Sequence, residues 1–172
     1  MTTQSMITQK SVLKLKKQGA AELHPKVSEL DFVKLRHKYT QSDEAEMSER
    51  DWDKAEREYR RFLSLKCWYP GISLVPSKEI DKLWHAHILD TRAYRDDCQH
   101  LFGRFMDHYP YFGLYGDDDY QLLVSSFEDT KALYEKHFSR WPYPDPVDAA
   151  RCEDHACHVP STCACRVPGA CK

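Results

Sequence analysis

Seven potential metal ligands crowd into the last stretch of this chain, Arg151 to Lys172: Cys152, His155, Cys157, His158, Cys163, Cys165 and Cys171. Zinc takes four ligands at ~2.0–2.3 Å and prefers Cys and His in structural sites, and Cu(I) selects thiolates. The stretch has no aromatic residue and two valines as its sizeable apolar groups, too little apolar surface to offset the entropy of ordering a backbone. If it takes a defined shape, bonds through sulfur must supply that shape. Cys163 and Cys165 form a C-x-C pair, and no C-x-x-C pair of the zinc-finger kind occurs. The first expectation is a thiol-rich tail that binds a soft metal ion, Zn or Cu(I). Three other readings stand beside it: an unstructured tail with incidental cysteines, a redox sensor, and a precursor segment modified on its cysteines.

A second group lies inside the chain, in Asp81-Lys-Leu-Trp-His-Ala-His. On a helix of ~100° per residue, His85 and His87 point roughly 160° apart, so they do not share one ion. His87 falls in the apolar arc with Ile80, Leu83 and Trp84. Asp81 and His85 are i,i+4 neighbours, the spacing of a carboxylate–imidazole pair that orients a ligating or proton-transferring histidine. One reading makes His87 a hydrogen-bonded core histidine and Asp81–His85 a surface pair. The other makes Asp81, Trp84, His85, His87, Cys98 and His108 a candidate pocket, with His87 meeting Cys98 or His108 from neighbouring turns in a metal-dependent enzyme or ligand-binding protein. No Gly-rich phosphate loop, H-E-x-x-H pair or nucleophile elbow is present, so no nucleotide cofactor and no catalytic residue is assigned.

The elements that must position these groups read as helices. Leu30, Val33 and Tyr39 mark one face of a first helix, followed by the polar loop 40–47. Ser48 with Asp51 resembles a capping box at the head of a helix over about 49–67, whose buried side carries Trp52, Ala55, Tyr59, Phe62 and Lys66. Ile72 to Val75 is an extended link, and Ser77 caps the helix that runs to Leu89. Asp90 caps a further segment with Tyr94, Cys98, Leu101, Phe102 and Phe105 on one side; the pattern leaves open whether the two are separate or one kinked helix. An aromatic loop, 109–116, leads to a last helix over 118–139 with Tyr120, Leu123, Phe127, Thr130, Tyr134 and Phe138 inward. No alternating strand pattern appears. The expected fold class is all-α: a single domain of about five helices over 26–141, preceded by a flexible arm (1–25, with a short helix near 12–17) and followed by a Pro-rich linker (142–149) and the irregular Cys/His tail (150–172).

The segment 74–104, with Pro76, Ile80, Asp81, Trp84, His85, His87, Tyr94, Asp97, Cys98 and Gly103 in place, resembles the W-H-x-H domain of the glycine-rich domain-containing protein-like family, as does Ser126 to Phe138. The resemblance spans about 28–141 and implies a helical domain without a defined activity.

At 172 residues, 41% apolar and 30% charged, the chain has room for one core plus an appendage. A net charge of −2 argues against a nucleic-acid binder, and Lys14, Lys16 and Lys17 read as a solvated arm. No stretch nears the ~20 apolar residues of a membrane span, and the N-terminus lacks a secretory h-region. The expected home is the cytoplasm, where thiols stay reduced and cysteine clusters favour metal over disulfides. The leading expectation is a non-catalytic helical module for metal handling or metal-stabilised binding of a protein partner, with no nucleic acid or membrane involved.

Overall fold

The computed structural model describes residues 22–143. Residues 1–21, most of the N-terminal arm with the helix expected near 12–17, nearly all of the Pro-rich linker, and the tail with Cys152, His155, Cys157, His158, Cys163, Cys165 and Cys171 lie outside the described residues.

Among the described residues the fold is all-α, with six helices and no strand: α1 (Pro25–Ser28), α2 (Val33–Gln41), α3 (Glu49–Trp68), α4 (Lys78–Leu89), α5 (Thr91–Phe102) and α6 (Asp117–His137). The helix beyond the five expected is the single turn α1, which starts at Pro25, where a missing N–H costs nothing. Arg60 of α3 fixes this turn and the chain just beyond it, donating to Val27 O at 2.7 Å and Leu30 O at 3.0 Å.

α3 is the hub, packing against α1, α2, α4 and α6. Ser48 Oγ accepts from Asp51 N–H at 3.1 Å and so caps the helix, while the Asp51 carboxylate accepts from the Ser48 hydroxyl at 2.7 Å rather than from its backbone N–H as a capping box requires. Trp52, Tyr59, Phe62, Leu63 and Leu65 are buried along α3. So is Glu58, whose carboxylate accepts from Tyr134 Oη at 2.6 Å and Arg61 Nη1 at 3.1 Å. That buried charge breaks the apolar periodicity and is compensated by two elements at once.

α4 and α5 are two helices. Asp90 ends the first and caps the second, its side chain accepting from Ala93 N–H at 3.3 Å with a backbone (φ −82°, ψ 71°) that neither helix could continue. α5 stops at Gly103, whose φ of 68° is the left-handed conformation that Gly adopts at least cost.

Three inward assignments fail for local reasons. Val33 is 72% exposed because α2 begins there and turns Phe32 and Leu35 inward instead. Phe105 lies beyond the end of α5 and is half-exposed, its ring edge-on to Tyr94. Tyr120 sits in the first turn of α6, ahead of the contact that begins at Leu123. Beyond α6 the packed chain continues: Trp141 meets Phe127 and Tyr134, and Tyr143 in turn packs on Trp141. No helix among the described residues is long and apolar enough to cross a membrane.

Candidate metal centre

Asp81 and His85 stand one turn apart on the same face of α4. The loop after α5 brings His108 to that face, and the three side chains converge on one point. His108 Nε2 lies 3.0 Å from Asp81 Oδ1 and 3.0 Å from His85 Nε2; His85 Nε2 lies 3.5 Å from Asp81 Oδ2. A tetrahedral ion with ligands at ~2.0–2.1 Å sets its donor atoms ~3.3 Å apart. The two His108 contacts lie near that edge length, and one ligand atom from each side chain stands within 4.8 Å of the other two.

Proton inventory points the same way. A neutral imidazole nitrogen carries at most one proton, so His108 Nε2–H donates to Asp81 or to His85 and not to both. With that nitrogen bare, a lone pair faces the carboxylate at hydrogen-bond distance. No placement of protons satisfies all three contacts together, whereas one central cation satisfies all three. The Asp81 side chain is 2% exposed, against 29% for His85 and 18% for His108. A carboxylate so buried calls for compensating charge.

The loop that delivers His108 is fixed from below. Tyr94 Oη accepts from Trp84 Nε1–H at 2.9 Å and donates to Met106 O at 2.6 Å. Burial pushes the Tyr94 hydroxyl far up its scale, so it remains a donor. The His108 ring then lies edge-on to Trp84 at 4.7 Å. Further along, Gly113 (φ 83°) lets the loop run close over α6, since a Cβ there would stand 2.7 Å from Leu123 Cδ2.

Beside the donors opens a cavity of about 200 Å³. Its lining combines Asp81, Trp84, Asp107 and His108 with the apolar Leu74, Pro76, Phe112 and Leu123, and includes Lys66 of α3. Burial, and then the charge of Arg104, lower the Lys66 ammonium below its usual range. At ~30 Å³ per water, the space suits a small molecule rather than a polymer.

Of the sequence candidates, the fold brings Asp81, His85 and His108 together with Trp84 as their support. It does not bring His87 or Cys98. His87 points the opposite way, as residues two apart on a helix do, and is buried in the core. Its Nε2–H donates to Asp97 Oδ2 at 3.0 Å, and its Nδ1 accepts from Tyr59 Oη at 3.0 Å. Phe32 and Tyr94 meet its ring edge-on. Pairing of His87 with Cys98 or His108 is therefore corrected: the histidine that meets His108 is His85. Nor is Asp81–His85 a surface pair, because the loop covers Asp81. Cys98 is buried beside Tyr94 and the Met106 backbone, and burial raises its thiol. Lys66 was read only as part of the buried stripe of α3, and Asp107 was not singled out. Their one sequence signal was a lysine at an apolar register position and an acidic neighbour of His108.

No curated protein and no solved structure matches the chain. A family model does, over residues 24–121, a span that runs from α1 into the first turns of α6 and holds all three donors. It is not that of the glycine-rich domain-containing protein-like family, and the resemblance drawn from the W-H-x-H run is overturned. The match covers more than half of the 172 residues, and the chain belongs to the UCP032817-like family, an uncharacterised one.

Proposed function

We propose that this domain binds a divalent transition-metal ion through Asp81, His85 and His108, and that the centre serves a small molecule held in the adjoining cavity. The observation that carries this is the convergence of Asp81, His85 and His108 from two separate elements, with one ligand atom of each within 4.8 Å of the other two. Two histidines and a carboxylate suit Zn(II) and also Fe(II). Structural zinc sites are closed by four protein ligands, while three ligands beside a cavity leave room for water or substrate. When bound, such an ion supplies Lewis acidity at the cavity wall. On this reading the metal chemistry belongs to the helical domain rather than the tail, and the centre is a ligand-binding or reactive one rather than purely structural.

The tail remains a second proposal, resting on donor types alone: Cys152, Cys157, Cys163, Cys165 and Cys171 with His155 and His158 as a soft-metal site. Titration of the full chain with Zn(II) or Co(II) under reducing conditions separates the two. Asp81→Asn and His108→Ala each lower affinity for one ion by more than about 100-fold, beyond the range of outer-shell changes, while Cys163→Ser/Cys165→Ser leaves that ion in place. Wild-type affinity in both domain variants, with loss in the cysteine variant, would move the metal to the tail and end the domain reading.

A further inference from the structure

Building on the metal reading of Asp81, His85 and His108, we infer that the adjoining cavity is a metal-dependent oxyanion site in which Lys66 receives the carboxylate or phosphate group of a small ligand. Lys66 lines the same cavity as Asp81 and His108 but comes from a different helix, α3. It forms no ion pair among the described residues, although Asp107 lines the cavity too. A half-buried ammonium left without a carboxylate partner is costly unless something else meets it.

Charge decides when that something can bind. The acidic and basic side chains on the cavity wall are Lys66, Asp81, Asp107 and His108, with Tyr109 adding a phenol. With His108 neutral, one cation faces two carboxylates, and the lining is net negative. A divalent ion on Asp81 reverses the sign, and the field of Arg104 beside Lys66 adds to the reversal. An oxyanion is therefore repelled from the metal-free cavity and drawn into the loaded one, where one oxygen faces the metal side and another faces Lys66. By linkage the anion must tighten the metal by the same factor that the metal tightens the anion. The apolar lining residues Leu74, Phe112 and Leu123 leave space for a short hydrocarbon part, so the class is a small organic acid or a small phosphate ester.

The test uses the full chain, metal-free and Co(II)-loaded, titrated with inorganic phosphate and with acetate while the cobalt absorption and binding heat are read. Expected is saturable binding of at least one of the two anions to the loaded protein, at least tenfold weaker without metal. Lys66→Met loses at least tenfold in anion affinity, Lys66→Arg keeps most of it, and both hold cobalt within about threefold of wild type. A preference for phosphate or acetate names the source of the oxyanion. Cobalt binding with no response to either anion, or equal anion affinity in Lys66→Met, overturns the inference and leaves the metal centre standing. Absence of cobalt binding overturns both. Lys66→Arg controls for folding, since it retains stem and charge.

Discussion

Tyr94→Phe removes one oxygen atom and should disturb both stability and metal affinity, because that atom joins the floor of the metal centre to its wall. Its two hydrogen bonds, from Trp84 Nε1 at 2.9 Å and to Met106 O at 2.6 Å, are short and lie between residues less than a tenth exposed. An unmet buried donor or acceptor costs ~1–3 kcal/mol. Here one of each is orphaned, and the phenyl ring keeps the packing, so the loss should be about 2–3 kcal/mol. Met106 precedes His108 by two residues, so slack at its carbonyl becomes slack at the imidazole. Outer-shell partners of metal ligands are typically worth 10–100-fold in affinity, and Tyr94→Phe should fall in that range for Zn(II). Urea denaturation of the metal-free chain reads the first effect, and competition with a chelating dye reads the second. A variant within about 0.5 kcal/mol of wild type would show that the Tyr94 oxygen bears no load. Full destabilisation with unchanged zinc affinity would show that His108 is placed by something other than this bridge.

Two further outcomes follow from burial. His137 stacks on Trp68 at 4.6 Å and accepts from Tyr69 Oη at 2.8 Å, and burial, then Lys136, lower it below 6.5; a base so depressed gives stability that is fully present above pH 6.5 and lost as pH falls through its lowered value, so the wild-type advantage over His137→Gln in denaturation midpoint should shrink between pH 7.5 and pH 5, and an advantage that grows on acidification reverses the sign of this reasoning. Cys67 is half-buried with its thiol pushed up to about 11, and burial raises Cys98 as well; at pH 8 only about one Cys67 in a thousand is thiolate, so peptide mapping after iodoacetamide treatment should find both unmodified in the native chain, and rapid labelling of either would refute the burial.

The helices were legible because their signals are local. Ser48, Ser77 and Asp90 each announce a cap with their own side chain, and each one caps. The Asp81–His85 pairing was legible for the same reason, since one turn of helix fixes it. What α4 faces is not local. Whether His85 or His87 meets His108 depends on how the loop after Gly103 returns, and that path is set by Tyr94 reaching the Met106 carbonyl, a contact without a periodic signature. Glu58 shows the converse error: a charge on the apolar stripe reads as a fault in the pattern until Tyr134, far along the chain, is seen to donate to it. Helix spacing reports which residues share a face, and only tertiary contacts report what that face meets.

The polar groups of the interior separate the metal centre from ordinary core chemistry. Three other buried networks close on themselves. Tyr59 donates to His87, which donates to Asp97. Arg61 donates to Tyr134, which donates to Glu58. Trp84 donates to Tyr94, which donates to Met106 O. In each the donors and acceptors alternate, every contact finds its proton, and two or three elements are pinned in register. At Asp81, His85 and His108 the alternation fails, because three acceptor-capable atoms meet and the shared nitrogen can offer a single proton. A structural network would gain nothing from that arrangement. The same fold that matches donors to acceptors three times over leaves one cluster rich in lone pairs, and it does so at the edge of a cavity, where an ion and its ligand have access.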